Sequence, residues 1–202
     1  MVKRKELLHD VSLTMDRGKI YGLLDREGSA KTVLLQMICG LITPTSGSIT
    51  VNGKPLYQDL SFPDSLGAVI EAPGFCDFLT GFENLKILAE IRRSITDEII
   101  RETLTRVGLD AEDGRVCKNY SQGMKQRLAL AQALMENPDL LILDEPMHAL
   151  GVEGRALIRQ LLLSEKGKGT TILFASRSKE EIQLLSDEGI EINDGYLKEN
   201  VG

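Results

Sequence analysis

Histidine, cysteine, long apolar runs and positive charge are all in short supply in this 202-residue chain, and each shortage removes a class of function. Two histidines, His9 and His148, count against a histidine-based metal centre. Three cysteines (Cys39, Cys76, Cys117) are too few and too scattered for a disulfide framework or a zinc site, so they are expected to be small apolar fillers in a reducing cytoplasm. No apolar run approaches the roughly 18 residues that span a bilayer, and residues 1–6 lead into polar sequence without the core of a secretion signal. Lys and Arg total 24 against 30 Asp and Glu, a net charge of −6 that argues against non-specific nucleic-acid binding. A cytosolic globular protein of one domain, with room for a sub-lobe, is what remains.

Short β-rich apolar runs at 20–24, 66–71, 140–143 and 170–175 alternate with helical patterns at 31–40, 81–92, 96–107, 122–136 and 152–165. Near-continuous apolar strands are how a parallel sheet reads when both faces are covered. In the last helix Leu157, Leu161 and Leu162 form one apolar stripe. Asn52-Gly53 and Asn193-Asp194-Gly195 each punctuate a run that reads as an antiparallel hairpin. The expected fold is α/β, a phosphate-loop-type, mostly parallel sheet with antiparallel accessory strands. Its core is residues 1–72 and 121–202, and a helical lobe is inserted at 73–120.

After the first strand comes Asp25-Arg26-Glu27-Gly28-Ser29-Ala30-Lys31-Thr32, running into Val33-Leu34-Leu35. Strand, tight turn, Lys-Thr and helix is the order a phosphate cradle needs, because backbone N–H groups and the helix N-terminus then face the anion. Lys31 would reach the outer phosphates and the Thr32 hydroxyl would ligate Mg2+. The full pattern asks for glycine where Asp25 and Ala30 stand, so a surface turn capping a helix explains the fragment equally well. Downstream, Leu140-Leu141-Ile142-Leu143 delivers two carboxylates, Asp144 and Glu145. Upstream of that strand lies Ser121-Gln122-Gly123-Met124-Lys125-Gln126-Arg127, where Ser121 caps a helix.

These three elements in this order resemble the nucleotide-binding domain of ABC transporters, and the resemblance covers nearly the whole chain. The Ser121–Arg127 segment and Glu145-Pro146-Met147 look most like the bacterial peptide-antibiotic resistance and export branch. The resemblance implies an ATP-binding subunit that couples ATP binding and hydrolysis to export by a membrane permease, as a head-to-tail homo- or heterodimer on the inner face of the cell membrane. It implies that Gly28, Ser29, Ala30, Lys31, Thr32 and Val33 bind phosphate. Thr32, Asp144 and Glu71 would hold Mg2+, Glu71 standing where the family has a glutamine. Glu145 would polarise the attacking water, and Ser121 and Gly123 would contact ATP held by the opposite subunit. The segment 72–84 falls where the membrane subunit docks.

The departures from that pattern cluster on nucleotide-contacting positions. Ala30 places a Cβ where the backbone must approach phosphate or adopt a glycine-type conformation, at about 1–3 kcal/mol. A carboxylate at Asp25, about 8 Å from a phosphate charge at an effective dielectric near 20, repels by roughly 2 kcal/mol. Together they are expected to weaken binding by about 100- to 1,000-fold. Arg177 replaces a histidine that contacts the γ-phosphate, and Gly151 replaces an aspartate that links the two sites of the dimer. Only six residues precede Leu7, none aromatic, so the base-stacking residue is missing. Three readings follow: an ABC ATPase subunit, a nucleotide-binding partner that does not hydrolyse, and a remnant that binds no nucleotide.

Overall fold

The computed structural model describes residues 7–25, 29–57, 62–71, 74–92 and 95–199. Arg26, Glu27 and Gly28 of the phosphate loop, and Ala72 at the head of the docking segment, lie outside the described residues. The main sheet runs in the order β4 (Leu66–Val69), β5 (Leu140–Asp144), β6 (Thr171–Ser176), β1 (Ile20–Asp25), β7 (Glu188–Asn193) and β8 (Tyr196–Glu199). All pairings are parallel except β7 with β8. Every residue of β6 and the first four of β5 are buried, which is why these strands read as unbroken apolar runs.

Side-chain alternation along the strands feeds two cores. On one face Tyr21, Leu23, Ile142 and Leu173 pack with Leu34 and Leu35 of α1 (Ser29–Ile38). On the other, Ile20, Leu24, Leu141 and Phe174 pack against α4 (Gln122–Leu134), α5 (Val152–Gly167) and α6 (Lys179–Leu185). Helices α2 (Gly81–Arg92) and α3 (Asp97–Arg106) are inserted between β4 and α4, and their Leu85 and Leu104 join that second core.

The structure departs from the sequence expectations at four places. Residues 190–197 do form a hairpin, turning on Asp194 and Gly195 at φ +48° and +80°, but its first strand, β7, lies parallel to β1 inside the main sheet. The cause is α6, a seven-residue crossover too short to show helical periodicity, which carries the chain from β6 to the far side of β1. Among the described residues, the separate antiparallel pair is β2 (Thr50–Val51) with β3 (Lys54–Pro55). Strand β4 stops at Val69, because Glu71 takes a left-handed φ of +64° that no strand continues through. Cys39 and Cys117 are buried fillers and burial raises both thiol pKa values, Cys39 to about 12, whereas Cys76 is exposed and fills nothing.

A buried charge joins the inserted helices to the sheet layer. Glu165 of α5 is 1% exposed and meets Arg106 of α3 and, at 2.9 Å, Lys168 Nζ. Removing the carboxylate strands a guanidinium that is itself mostly covered, so Glu165→Ala is expected to cost about 3–5 kcal/mol, and Glu165→Gln less. Urea unfolding of the two variants checks the order; equal stability to wild type would show that the pair is not worth its desolvation.

Asp187 pins β7 to β1. Its Oδ2 accepts the Ile20 N–H at 2.8 Å, its own N–H donates to Ile20 O at 2.7 Å, and its Oδ1 takes Lys166 Nζ. Partial burial works against ionisation, but the Ile20 amide and the Lys166 ammonium outweigh it and hold the carboxyl below its ordinary value. A group lowered on folding stabilises above its unfolded pKa and loses that contribution as pH falls through the folded value. The stability difference between wild type and Asp187→Asn is therefore expected to shrink between about pH 6 and pH 3, read from denaturation midpoints; a difference independent of pH would refute the assignment.

Candidate functional site

Strands β1 and β5 are separated by β6, so two spacings of roughly 4.8 Å put their carboxyl ends about 10 Å apart. Lys31, in the first turn of α1, reaches across that gap. Its Nζ lies 2.7 Å from Glu145 Oε1 and 3.1 Å from Asp144 Oδ1, and the side chain is 3% exposed. Thr32 Oγ1 donates to Asp144 Oδ2 at 3.0 Å. Successive strand residues normally face opposite sides. Glu145 escapes that rule with a left-handed φ of +48°, while its amide still donates to Ala175 O at 2.9 Å. Both carboxylates thereby converge on one ammonium. A non-glycine residue held at positive φ costs about 1–3 kcal/mol, a strain that clusters at functional sites.

Four of the residues singled out from sequence are thus in one cluster: Lys31, Thr32, Asp144 and Glu145. Arg177, in the turn after β6, joins it from outside; it is 69% exposed with Nε 3.7 Å from Glu145 Oε1. Glu71 lies one helical turn further along α1, its Oε1 accepting from Gln36 Nε2 at 3.3 Å. Val33 is half-buried on α1. Ser29 begins α1 and Asp25 ends β1. Ala30 corrects one of the two alternatives expected for it: it is helical and 8% exposed, with its methyl in the core beside Tyr21 and Leu34, so the glycine-type backbone strain is absent.

Ser121 and Gly123 have their contacts elsewhere. Ser121 is exposed, and its Oγ accepts from Met124 N at 3.1 Å as the N-cap of α4. Gly123 abuts the segment after β5, since an added Cβ would lie 2.9 Å from Ala149 O; close backbone approach alone requires glycine here. Gly151 precedes α5, and a Cβ there meets nothing within 4 Å, so an aspartate would fit sterically. Sequence reasoning missed Gln36 and Gln126. Gln126 Nε2 donates to the carbonyls of Glu145 and Pro146 at 3.3 Å each, holding the turn that carries Glu145. Gln36 stands four residues after Thr32, on the same helix face, which is the spacing that could have found it.

The donors present suit a hard cation beside a phosphate chain. Asp144 Oδ1 is buried and makes no hydrogen bond, only the ion contact with Lys31, while Thr32 supplies a hydroxyl oxygen next to it. Among the described residues no group of three or more His, Cys, Asp or Glu side chains stands together as a metal site.

A parallel sheet whose first strand–loop–helix unit sets Lys-Thr against the acidic end of the next strand but one defines a phosphate-loop-type α/β domain. The ABC transporter family model matches residues 8–148, and the chain belongs to that family. It is 43% identical over 197 residues to the uncharacterized ABC transporter ATP-binding protein YybJ of Bacillus subtilis (strain 168), covering 98% of this chain and 90% of that protein. It is 39% identical over 198 residues to the bacitracin transport ATP-binding protein BcrA of Enterococcus faecalis, covering 96% of this chain but only 64% of the longer relative. The second relative agrees with the peptide-antibiotic branch expected from Ser121–Arg127. In fold, the dimeric structure of MJ0796, a bacterial ABC transporter cassette, matches with a TM-score of 0.88 at 22% identity, over 99% of this chain and 93% of that one.

Because Glu145 occupies Lys31, an anion must displace it. Glu145→Gln removes the competing charge and is expected to tighten inorganic tripolyphosphate binding by about tenfold, measured calorimetrically without metal. Unchanged or weaker binding would show that Lys31 is not the anion's partner.

Proposed function

We propose that this chain is the ATP-binding subunit of an ABC transporter for peptide antibiotics, binding ATP between its own phosphate loop and the Ser121–Gly123 helix of a second nucleotide-binding domain. The observation that carries the reading is the buried Lys31 set between Asp144 and Glu145 with Thr32 alongside. Lys31 and the N–H groups of the first turn of α1 take up phosphate charge. Thr32 and Asp144, with Glu71 nearby, would hold Mg2+, which when bound neutralises phosphate charge. Once Lys31 turns to phosphate, Glu145 is released to orient and deprotonate water, and Arg177 supplies a second cation from the solvent side. The division into a core (1–72 and 121–202) and a helical lobe (73–120) belongs to the same proposal.

In this reading export runs through a separate membrane permease, with the subunit peripheral on the inner face of the cell membrane; no described helix is long and apolar enough to cross a membrane. Its proposed seat is the groove of about 410 Å³ between β4 and α2, lined by Ile70, Glu71, Phe75, Ile87 and Leu88. Phe78 (78% exposed) and Ile91 (76% exposed) lie on the same inserted segment. Because Glu71 sits in this groove and also touches α1 through Gln36, a partner there has a short route to the nucleotide.

A specific observation favours a second reading, binding without turnover: Arg177 stands against the carboxylate that has to act as base. Mg-ATP titration separates the alternatives. At about 100 times the dissociation constant, ligand adds roughly 2.7 kcal/mol, expected to raise the unfolding midpoint by about 5–10 °C in a chain of this size. A shift with phosphate release supports the ATPase; a shift without release supports the second reading; no shift at several millimolar overturns both.

A further inference from the structure

We infer that Glu181 is a positioning residue that ties the turn bearing Arg177 to the far end of the segment bearing Glu145. The inference rests on the nucleotide-site reading above for its catalytic consequence, but not for the tie itself. The structural basis is a chain of polar contacts that closes on itself. Glu181 of α6 is buried, 8% exposed. Its Oε2 accepts the Ser176 hydroxyl at 2.7 Å, and Ser176 Oγ in turn accepts the Ser178 N–H at 3.1 Å, so the two residues flanking Arg177 are bonded to each other and to Glu181. The other carboxylate oxygen, Oε1, faces Arg155 Nη1 at 3.4 Å, and Arg155 Nε donates to the carbonyl of Leu150 at 3.1 Å. Arg177 contacts Glu145, at the opposite end of that same 145–150 segment.

The segment 145–150 is therefore held at both ends by one carboxylate: through Arg155 at Leu150, and through Ser176 and Arg177 at Glu145. Within it the backbone makes short turn bonds, His148 N–H to Glu145 O and Leu150 N–H to Met147 O, Gln126 Nε2 donates to the carbonyls of Glu145 and Pro146, and Glu145 and Ala149 both stand at positive φ. Gln126 holds the first two carbonyls, and the rest of this strained segment, with few bonds of its own, takes its geometry from its ends. Capping of α6 does not account for the geometry of Glu181: Ser178 is the cap of α6, and the Glu181 carboxylate reaches past it into the buried end of β6.

Amide hydrogen exchange and phosphate release of wild type, Glu181→Ala, Glu181→Gln, Arg155→Ala and the double variant Arg155→Ala/Glu181→Ala test the tie. Expected for Glu181→Ala is about tenfold faster exchange at His148 and Leu150, which Glu181 does not touch. Turnover at saturating Mg-ATP is expected to fall about tenfold with KM moving less than about threefold. Glu181→Gln, which keeps an oxygen for Ser176 and loses the charge facing Arg155, is expected to fall between, and the double variant to be no worse than Glu181→Ala alone. Faster exchange confined to 176–186, a change in KM alone, or additive losses in the double variant would each overturn the inference. If wild type binds Mg-ATP but releases no phosphate, hydrolysis fails as a reading while exchange at 146–150 still decides the tie.

Discussion

A single buried ammonium organises this protein. Lys31 Nζ sits almost without solvent between Asp144 and Glu145, and a lone cation in that position would cost several kcal/mol in lost hydration. The pair of carboxylates is what makes the position tenable, and it dictates geometry on both sides. The helix α1 must begin at the carboxyl end of β1, β5 must end two strands away, and β6 must fill the space between with a fully buried strand. Glu145 must also leave the strand with a left-handed backbone so that it meets the same ammonium as its predecessor.

That arrangement changes how the chain's unusual residues weigh. Ala30, taken by itself, breaks a glycine-rich pattern; in place, its methyl is one more core contact between α1 and β1, and its backbone is ordinary helix. Arg177 matters more. Its guanidinium and the Lys31 ammonium share one oxygen of Glu145, so the carboxylate proposed to serve a water is held by two cations in this state. Under the proposed function the balance between binding ATP and hydrolysing it is set at that oxygen, with the Glu181–Arg155 chain of contacts behind it.

Much of the fold was legible because burial on both faces writes itself into composition. The strands at 140–143 and 170–175 are near-continuous apolar runs since water reaches neither side, and the amphipathic stripe of α5 is equally plain. Helix α6 was not legible, having too few residues to complete two turns of pattern, and without it the strand at 188–193 could not be assigned to the main sheet. The inward pull of Glu71 toward Gln36 and the spacing of Gln126 from Glu145 depend on φ angles and on a neighbouring helix, neither of which leaves a periodic trace.

The amino-acid order alone determined the class of architecture, the phosphate-loop lysine and threonine, and the two carboxylates at the end of an apolar strand, because each of those is a local pattern of side-chain chemistry along the chain. Only the tertiary structure decided that those four groups share one buried cluster, that Ala30 is unstrained, and that Glu181 and Arg155 brace the segment between Glu145 and Leu150. Those outcomes depend on strand order and on left-handed backbone turns, which are set by how distant segments pack together.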